Sequence, residues 1–211
     1  MVGIYCAGGH SKTVIEALAR SGEPVDMVVD DDESVLGTTH RGHEVRRPED
    51  DVLEDHDWIV ANGVGSVRAL IADQITTTGG ECRSFVDRDA VVDVETDTLS
   101  HVYVSAGCYV CAEVTLGANV LLDGGVYVGH ETTVGPNVTL APNTTLGGDV
   151  EIGANSFVGL GSTVRPDVSI GSDVVVGAGA TVVDDVPSNT VVVGTPAEKV
   201  RDIEEVTSGE L

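Results

Sequence analysis

The sequence predicts two parts: a small Rossmann-like α/β domain in residues 1–85, then a parallel β-helix in residues 86–211. Two observations predict this division. From residue 86 to residue 182, an aliphatic side chain returns at every sixth position. Before residue 86, short apolar runs alternate with helical patterns, as in a small parallel sheet with covering helices.

The six-residue period is continuous over 17 positions, and Thr98 is the one member that is not aliphatic. Such a period fits neither an α-helix nor an isolated strand, but it fits a triangular coil whose three sides are one hexad each. Residue i then stacks on residue i+18 at about 4.8 Å. Ordinary antiparallel strands would not keep one register over this length. Glycines that follow the aliphatics, such as Gly129 and Gly147, are expected to turn the corners.

The N-terminal part reads as a series of short elements. Gly8 and Gly9 form a tight turn, and Ser11 is the expected N-cap of the first helix. The predicted elements are strands at 2–6, 25–29 and 58–61, and helices at 13–20, 52–55 and 66–75.

The turn at Gly8 and Gly9 is the first candidate binding site. Glycine after the first strand lets the backbone approach a phosphate, and the helix N-terminus favours negative charge. Asp30 and Asp31, after the second strand, are placed to accept hydrogen bonds from ribose or base hydroxyls. Two simpler interpretations stay open: a turn that needs a positive φ, and a solvated acidic turn.

His130 is the candidate catalytic base. It lies two residues after the inward Val128, at a position where many other hexads carry a small residue or proline, such as Ala112, Ala118 and Pro136. An amine or hydroxyl that attacks a thioester must lose a proton, and histidine can accept it near neutral pH. Glu131 follows directly. Since neighbours on a strand face opposite ways, contact between the two requires the corner to turn the acid back.

Gly148 is the candidate oxyanion donor, because it follows His130 by 18 residues and should stack on the same edge. Its N–H could bind the oxyanion of a tetrahedral intermediate, an effect worth about 3 kcal/mol in known oxyanion holes. Simple packing of the coils explains this glycine equally well.

Composition limits the functions that the chain can have. The net charge is −24, with 21 acidic residues in positions 1–100 and 14 in 101–211. This spread argues against nucleic-acid binding and predicts a halophilic protein, which unfolding midpoints in molar KCl would check. No long apolar run or signal peptide is visible. Cys108 and Cys111 lack a second ligand pair, so we expect no metal.

Five stretches together resemble the PglD/NeuD-type sugar O/N-acetyltransferases of the hexapeptide-repeat superfamily: IYCAGGHSKTVIEAL, VDMVVDDD, WIVANGVGSVRALI, VGHETTVG and VVVGTPAEKV. The resemblance covers nearly the whole chain in order. It implies a left-handed coil, a homotrimer, and acetyl-CoA in a groove between two β-helices. The cytoplasmic location that we expect follows instead from the lack of a visible signal peptide. The pantetheine arm would pass the corner residues Leu160 and Ala178.

The same resemblance implies roles for the other candidate residues. Glu131 would increase the basicity of His130. The nucleotide of the substrate would bind at these residues: Gly8, Gly9, His10, Asp30, Asp31 and Gly63. The sugar would reach His130 of the partner subunit. We expect Arg68, which could also contact a phosphate, to be an exposed helix residue.

This chain departs from the family pattern at three positions. Cys6 stands where glycine is usual, in the nucleotide turn. Thr139 replaces a second histidine, so a contact with CoA is missing or replaced there. Asp123 stands where asparagine is usual, which affects the sugar specificity.

The sequence thus predicts an acetyl-CoA-dependent acetyltransferase that acts on the amino or hydroxyl group of a nucleotide-linked or sialic-acid-like sugar. The alternative is a non-catalytic β-helix scaffold that binds a nucleotide sugar or a protein partner. The pair His130 and Glu131 favours the enzyme, since a scaffold needs no base at a corner.

Overall fold

The computed structural model of the protein describes residues 1–95 and 99–203. Its N-terminal part is a six-stranded sheet with helices on both sides. The elements are β1 (Val2–Tyr5), α1 (Gly9–Arg20), β2 (Val25–Val29), β3 (Thr39–His40), β4 (His43–Arg46), α2 (Asp50–Glu54), β5 (Asp57–Val60), α3 (Gly65–Thr77) and β6 (Glu81–Cys82). The strand order is β3-β4-β2-β1-β5-β6, and only the β3–β4 pair is antiparallel.

The strand order creates a crevice at one edge of this sheet. β1 is central, the chain moves from it to β2 on one side, and later to β5 on the other. The loops after β1 and β5 therefore diverge at the carboxyl ends of the strands, which is where ligands bind in open α/β sheets. Gly8 lies in the first loop, Gly9 begins the helix that follows it, and Gly63 lies in the second loop.

Short strands build the rest of the chain into a parallel β-helix. They are β7 (Phe85–Val86), β8 (Val91–Val92), β9 (Tyr103–Val104), β10 (Tyr109–Val110), β11 (Thr115–Leu116), β12 (Leu121–Leu122), β13 (Tyr127–Val128), β14 (Thr133–Val134), β15 (Thr139–Leu140), β16 (Thr145–Leu146), β17 (Glu151–Ile152), β18 (Phe157–Val158), β19 (Thr163–Val164), β20 (Ser169–Ile170), β21 (Val175–Val176), β22 (Thr181–Val182), β23 (Thr190–Val193) and β24 (Glu198–Asp202).

These strands form three flat faces. The first face is β8-β10-β13-β16-β19-β22, and the second is β11-β14-β17-β20. The third face runs from β7 through β9, β12, β15, β18 and β21 to β23 and β24. Val110 pairs with Val128, and Leu140 with Val158, which confirms the predicted 18-residue stacking. The predicted domain boundary at residue 85 falls inside β7.

The α/β domain packs on the third face of the β-helix. Phe85, Tyr103 and Leu121 of that face share one buried cluster with α1 and the sheet. A second cluster, on the other side of the sheet, holds Trp58 and Ile75. The aliphatics of the repeat form a third, continuous core inside the β-helix, from Val102 to Val192.

The expected role of the hexad glycines is wrong. Gly129 and its equivalents have no positive φ, but a Cβ on Gly129 would lie 2.4 Å from the Gly147 carbonyl of the next coil. Glycine is therefore needed for the close approach of successive coils. The corners are turned by the residue three positions after each aliphatic, which is left-handed in every coil from His101 to Gly179.

Other boundaries also differ from expectation. Helix α1 begins at Gly9, so Ser11 is not the N-cap; its hydroxyl instead donates to the Gly8 carbonyl at 2.8 Å. The β3–β4 hairpin was not predicted.

From the sequence we expect the tail beyond Val186 to fold back along the β-helix, but β23 pairs in parallel with β21 and continues the third face, and β24 returns antiparallel to β23 at the end of that face. Thr98 and the tail segment 204–211, for which disorder is expected, lie outside the described residues. Among the helices that the structure describes, none is long and apolar enough to cross a membrane.

Candidate active site

The three corners of the β-helix carry different side chains on the same left-handed backbone. The acidic corner, between the first and second faces, has Glu113, Glu131, Asp149 and Asp167. The amide corner, between the second and third faces, has His101, Asn119, Asn137, Asn155 and Asp173. The glycine corner, between the third and first faces, has Gly107, Gly125, Asn143, Gly161 and Gly179.

His130 lies on the acidic corner and contacts Glu131. The left-handed conformation of Glu131, with φ 60°, turns its side chain back, so that Oε2 lies 2.9 Å from His130 Nδ1. A carboxylate only accepts hydrogen bonds, so Nδ1 carries the proton. The lone pair of the neutral ring is then on Nε2. Both side chains are exposed, and the arrangement suits a general base whose tautomer is fixed by an acid.

Gly148 stacks beneath His130, as the 18-residue spacing predicts. A Cβ at Gly148 would lie 2.6 Å from Cε1 and 2.7 Å from Nε2 of His130. The Gly148 N–H donates to no acceptor in the described part of the chain, although Asp149 N–H beside it donates to the His130 carbonyl at 2.9 Å. A free N–H next to the base is the geometry that an oxyanion hole requires.

Asp149 is the residue of this corner that sequence reasoning missed. Ligand-type atoms of Asp149, Glu131 and His130 all lie within 4.8 Å of one another, and all three side chains are exposed. The signal was available, because Asp149 follows Glu131 by 18 residues. These three residues could also share a cation.

A second group of predicted residues lines a groove of about 410 Å³ on the third face. Its walls include Gly63 from the loop after β5, together with Asp123 and Thr139 from the β-helix. Leu160 and Ala178, on the glycine corner, form its other end, and the exposed side chains of Phe157 and Leu160 make that end apolar. The groove thus joins predicted substrate contacts to the predicted pantetheine path.

The turn after β1 is open to solvent. Among the described residues, no atom lies within 4 Å of a Cβ placed on Gly8 or Gly9, and no side chain caps the start of α1. The free N–H groups of this helix end suit an anion such as a phosphate. Cys6 enters the turn with φ 84°, a conformation that favours the glycine usual in the family. Asp30 holds the turn, since its Oδ2 accepts from Ala7 N–H at 2.6 Å.

His10 and Asp31 are partly engaged by the protein itself. The His10 ring packs edge-on against Tyr103, with ring centroids 5.7 Å apart. Burial lowers the pKa of His10, an effect that Asp123 opposes and Arg68 reinforces. Asp31 accepts a hydrogen bond from the Tyr5 hydroxyl at 2.8 Å.

Arg68 is not the exposed helix residue that we expected. It is 4% exposed, and its guanidinium reaches from α3 into the third face of the β-helix. Burial lowers its pKa to about 10. The helical pattern of residues 66–75 shows which positions face inward, but not that the neighbouring domain covers this one.

The two groups of site residues lie on opposite sides of the β-helix. His130, Glu131, Asp149 and Gly148 are on the acidic corner, where the first and second faces meet. In a triangular coil this corner is opposite the third face, which carries the groove and the α/β domain. One chain therefore does not bring its own base to its own groove.

The repeat pattern described as "Bacterial transferase hexapeptide (six repeats)" matches residues 113–148, 131–165 and 149–184. The comparison with curated proteins gives no match. Among solved structures, a mutant perosamine N-acetyltransferase from Caulobacter crescentus, in complex with CoA and GDP-perosamine, is 31% identical. It superposes with a TM-score of 0.85 over 95% of this chain and 97% of the other.

The chain belongs to the hexapeptide-repeat sugar acetyltransferases. The acetyltransferase domain of PglB from Neisseria gonorrhoeae is 28% identical, with a TM-score of 0.84 over 94% of this chain and 98% of that domain. WeeI from Acinetobacter baumannii is 22% identical and shares the fold, with a TM-score of 0.78 over 95% and 99% of the two chains. This acyltransferase thus has the left-handed β-helix and small α/β domain of its relatives.

Proposed function

We propose that the protein transfers an acetyl group from acetyl-CoA to the amino group of a nucleotide-linked sugar. The observation that carries the proposal is the acidic corner, where His130, Glu131 and the free Gly148 N–H form a base and an oxyanion donor. The solved relatives support the substrates: one is in complex with CoA and GDP-perosamine, and the PglB domain is in complex with acetyl coenzyme A.

The active site lies between subunits of a homotrimer. The groove with Gly63, Asp123 and Thr139 is on the third face, opposite the corner with His130. A second copy that places its acidic corner against this groove would complete the site. The nucleotide would bind at Gly8 and Gly9, and the acetyl-CoA arm would run along Leu160 and Ala178.

The reaction is a direct acyl transfer. The acceptor nitrogen attacks the thioester carbonyl carbon, and the Gly148 N–H donates to the resulting oxyanion. His130 Nε2 takes the proton of the attacking amine, while Glu131 stabilises the imidazolium. The C–S bond then breaks, the amide forms, and the proton passes from His130 to the leaving thiolate to give free CoA thiol.

The charge of the corner favours an amine acceptor over a hydroxyl. Glu131 and Asp149 place two carboxylates beside His130. A sugar amine arrives largely as an ammonium ion, which carboxylates attract, and it loses that first proton to solvent before the neutral amine attacks; a neutral hydroxyl gains little from the carboxylates. The acceptor is thus expected to be an amino sugar.

Thiol release from acetyl-CoA with a panel of UDP- and GDP-linked amino sugars, in high salt, tests this function. Replacement of His130 by alanine should lower turnover about 10²- to 10⁴-fold, because the base is lost. The matched control is His101→Asn, since His101 is another corner histidine and the next coils carry asparagine there. Normal turnover in the His130 variant would remove the catalytic role. Tight binding of a nucleotide sugar without any release would instead support the scaffold.

A further inference from the structure

Arg68 is a buried cation whose hydrogen bonds are all made to neutral acceptors. Its Nε and Nη2 donate to the Asn119 carbonyl at 3.1 and 2.7 Å, and Nη2 also donates to the Val138 carbonyl at 3.1 Å. Its Nη1 donates to the Asn62 carbonyl and to Thr139 Oγ1, both at 3.0 Å. All five N–H groups of the guanidinium are thereby used.

Thr139 completes the same network. Its hydroxyl accepts from Arg68 and donates its own proton to the Gly63 carbonyl at 3.0 Å. Asn62 and Gly63 are successive residues of the β5–α3 turn. Arg68 holds the Asn62 carbonyl and Thr139 holds the Gly63 carbonyl, and these two side chains are hydrogen-bonded to each other at the third face. Thr139 is only 4% exposed, although it borders the groove.

We propose that Arg68 and Thr139 are positioning residues that clamp the acceptor-binding turn at Asn62 and Gly63 to the acyl-donor groove. The inference rests on the proposed function, since it assigns the turn to the nucleotide sugar. The proposal also assigns a role to Thr139, which stands where the family usually has a histidine. Thr139 fixes the acceptor side of the groove through its hydrogen bond to the Gly63 carbonyl. Because its hydroxyl proton is used in this bond, Thr139 cannot donate a hydrogen bond to CoA.

The clamp is distinct from general docking of the two domains. Arg20, at the far end of α1, also crosses the domain boundary, where Nη2 lies 2.7 Å from Oδ2 of the buried Asp87. This ion pair is remote from the β5–α3 turn. Arg20→Met therefore removes a contact between the domains but leaves the clamp, and it is the matched control.

The decisive variant is Thr139→Val, which keeps the side-chain shape and removes both hydrogen bonds; Arg68→Met risks misfolding because it removes all five hydrogen bonds of a buried side chain. We expect the KM for the best acceptor of the panel to rise about tenfold, and the KM for acetyl-CoA to stay within about twofold. Amide hydrogen exchange at residues 61–65 should become faster in the ligand-free variant. Thr139→Ser, which keeps the hydroxyl, should lie closer to the wild type in both measurements.

Three results would overturn the clamp: a rise in the KM for acetyl-CoA alone, the same changes in Arg20→Met, or unchanged exchange at residues 61–65. Failure of the proposed function has a different signature, which is absence of thiol release in the wild type with every acceptor. The exchange measurement needs no ligand, so it still decides whether Thr139 holds the turn.

Discussion

The acidic and amide corners differ in side chains but not in backbone. Asp149 and Asn137 have φ 56° and 61°, and each donates its N–H to the preceding coil, at 2.9 and 2.8 Å. In the amide corner the side chains then bond to each other from coil to coil, at 2.9 to 3.2 Å: His101–Asn119, Asn119–Asn137, Asn137–Asn155 and Asn155–Asp173. An amide both donates and accepts, so this ladder stabilises the stack.

The acidic corner cannot form such a ladder. Carboxylates only accept hydrogen bonds, and stacked like charges repel each other. The left-handed backbone would accept asparagine or glycine equally well. The fold therefore does not explain Glu131 and Asp149, whereas a base that needs an acid beside it and a cationic acceptor do explain these two. A side chain that the backbone does not require therefore indicates function better than a side chain that stabilises the stack of coils.

The largest effect is expected from Gly148→Ala, which tests the catalytic side of this comparison. The new Cβ would lie 2.6 Å from His130 Cε1, so the ring must move away from its position over the Gly148 Cα. A displacement of this order between base and oxyanion donor should lower kcat about 10²-fold. Steady-state thiol release measures it.

Gly124→Ala is the matched control for Gly148. Gly124 occupies the same position of its hexad, and its Cβ would meet the Ala106 carbonyl oxygen at 3.9 Å, an ordinary contact. We expect wild-type kcat for this variant. Equal kcat in both variants would show that the space above Gly148 has no catalytic use.

An intermediate effect, on the KM for the acceptor, is expected from Asp149→Asn. This variant places asparagine, the residue typical of the amide corner, on the acidic corner. The backbone should be unchanged, since asparagine tolerates the left-handed conformation. The loss of one carboxylate near an ammonium ion should raise the KM for an amino sugar about tenfold at the lowest salt concentration that keeps the wild type folded, with little change for the matching hydroxyl sugar.

Asp167→Asn controls for the charge alone. Asp167 has the same repeat position, with φ 60°, one coil farther from His130. Asp167→Asn should leave the KM for the amino sugar and the KM for the hydroxyl sugar unchanged. Equal losses for amine and hydroxyl acceptors in Asp149→Asn would mean that Asp149 orients His130 and does not select the charge of the acceptor.

The periodic part of the molecule was readable from the sequence. The aliphatic period predicts the coil, and the 18-residue spacing predicts that Gly148 lies under His130. The contact between His130 and Glu131 does not follow from the spacing, because it depends on the left-handed φ of Glu131. The neighbouring coils nevertheless signal that conformation, since Asn, Asp or Gly stands at every sixth position from Gly107 to Gly179 except at Glu113 and Glu131.

Contacts between the two domains were not readable. Arg68 looked like a surface residue because a helical pattern contains no information about a distant β-helix that covers it. The β3–β4 hairpin escaped notice because its strands are short and rich in charged and polar residues, among them His40, His43 and Arg46. The hexad glycines were assigned to corners because a close approach of coils is a tertiary property.

The smallest effect tests the structural side of the comparison. Asn137→Gly keeps a residue suited to the left-handed corner but removes the bonds to Asn119 and Asn155. The free energy of unfolding should fall by about 1–2 kcal/mol, measured from urea denaturation. The matched control is Asn143→Gly, on the glycine corner. The Asn143 side chain makes no such bonds in the described chain, so this variant has only the entropic cost of a new glycine, which Asn137→Gly has as well. The difference in unfolding free energy between the two variants measures the contribution of the hydrogen-bonded ladder. Equal unfolding free energies would mean that the ladder of amides does not stabilise the fold.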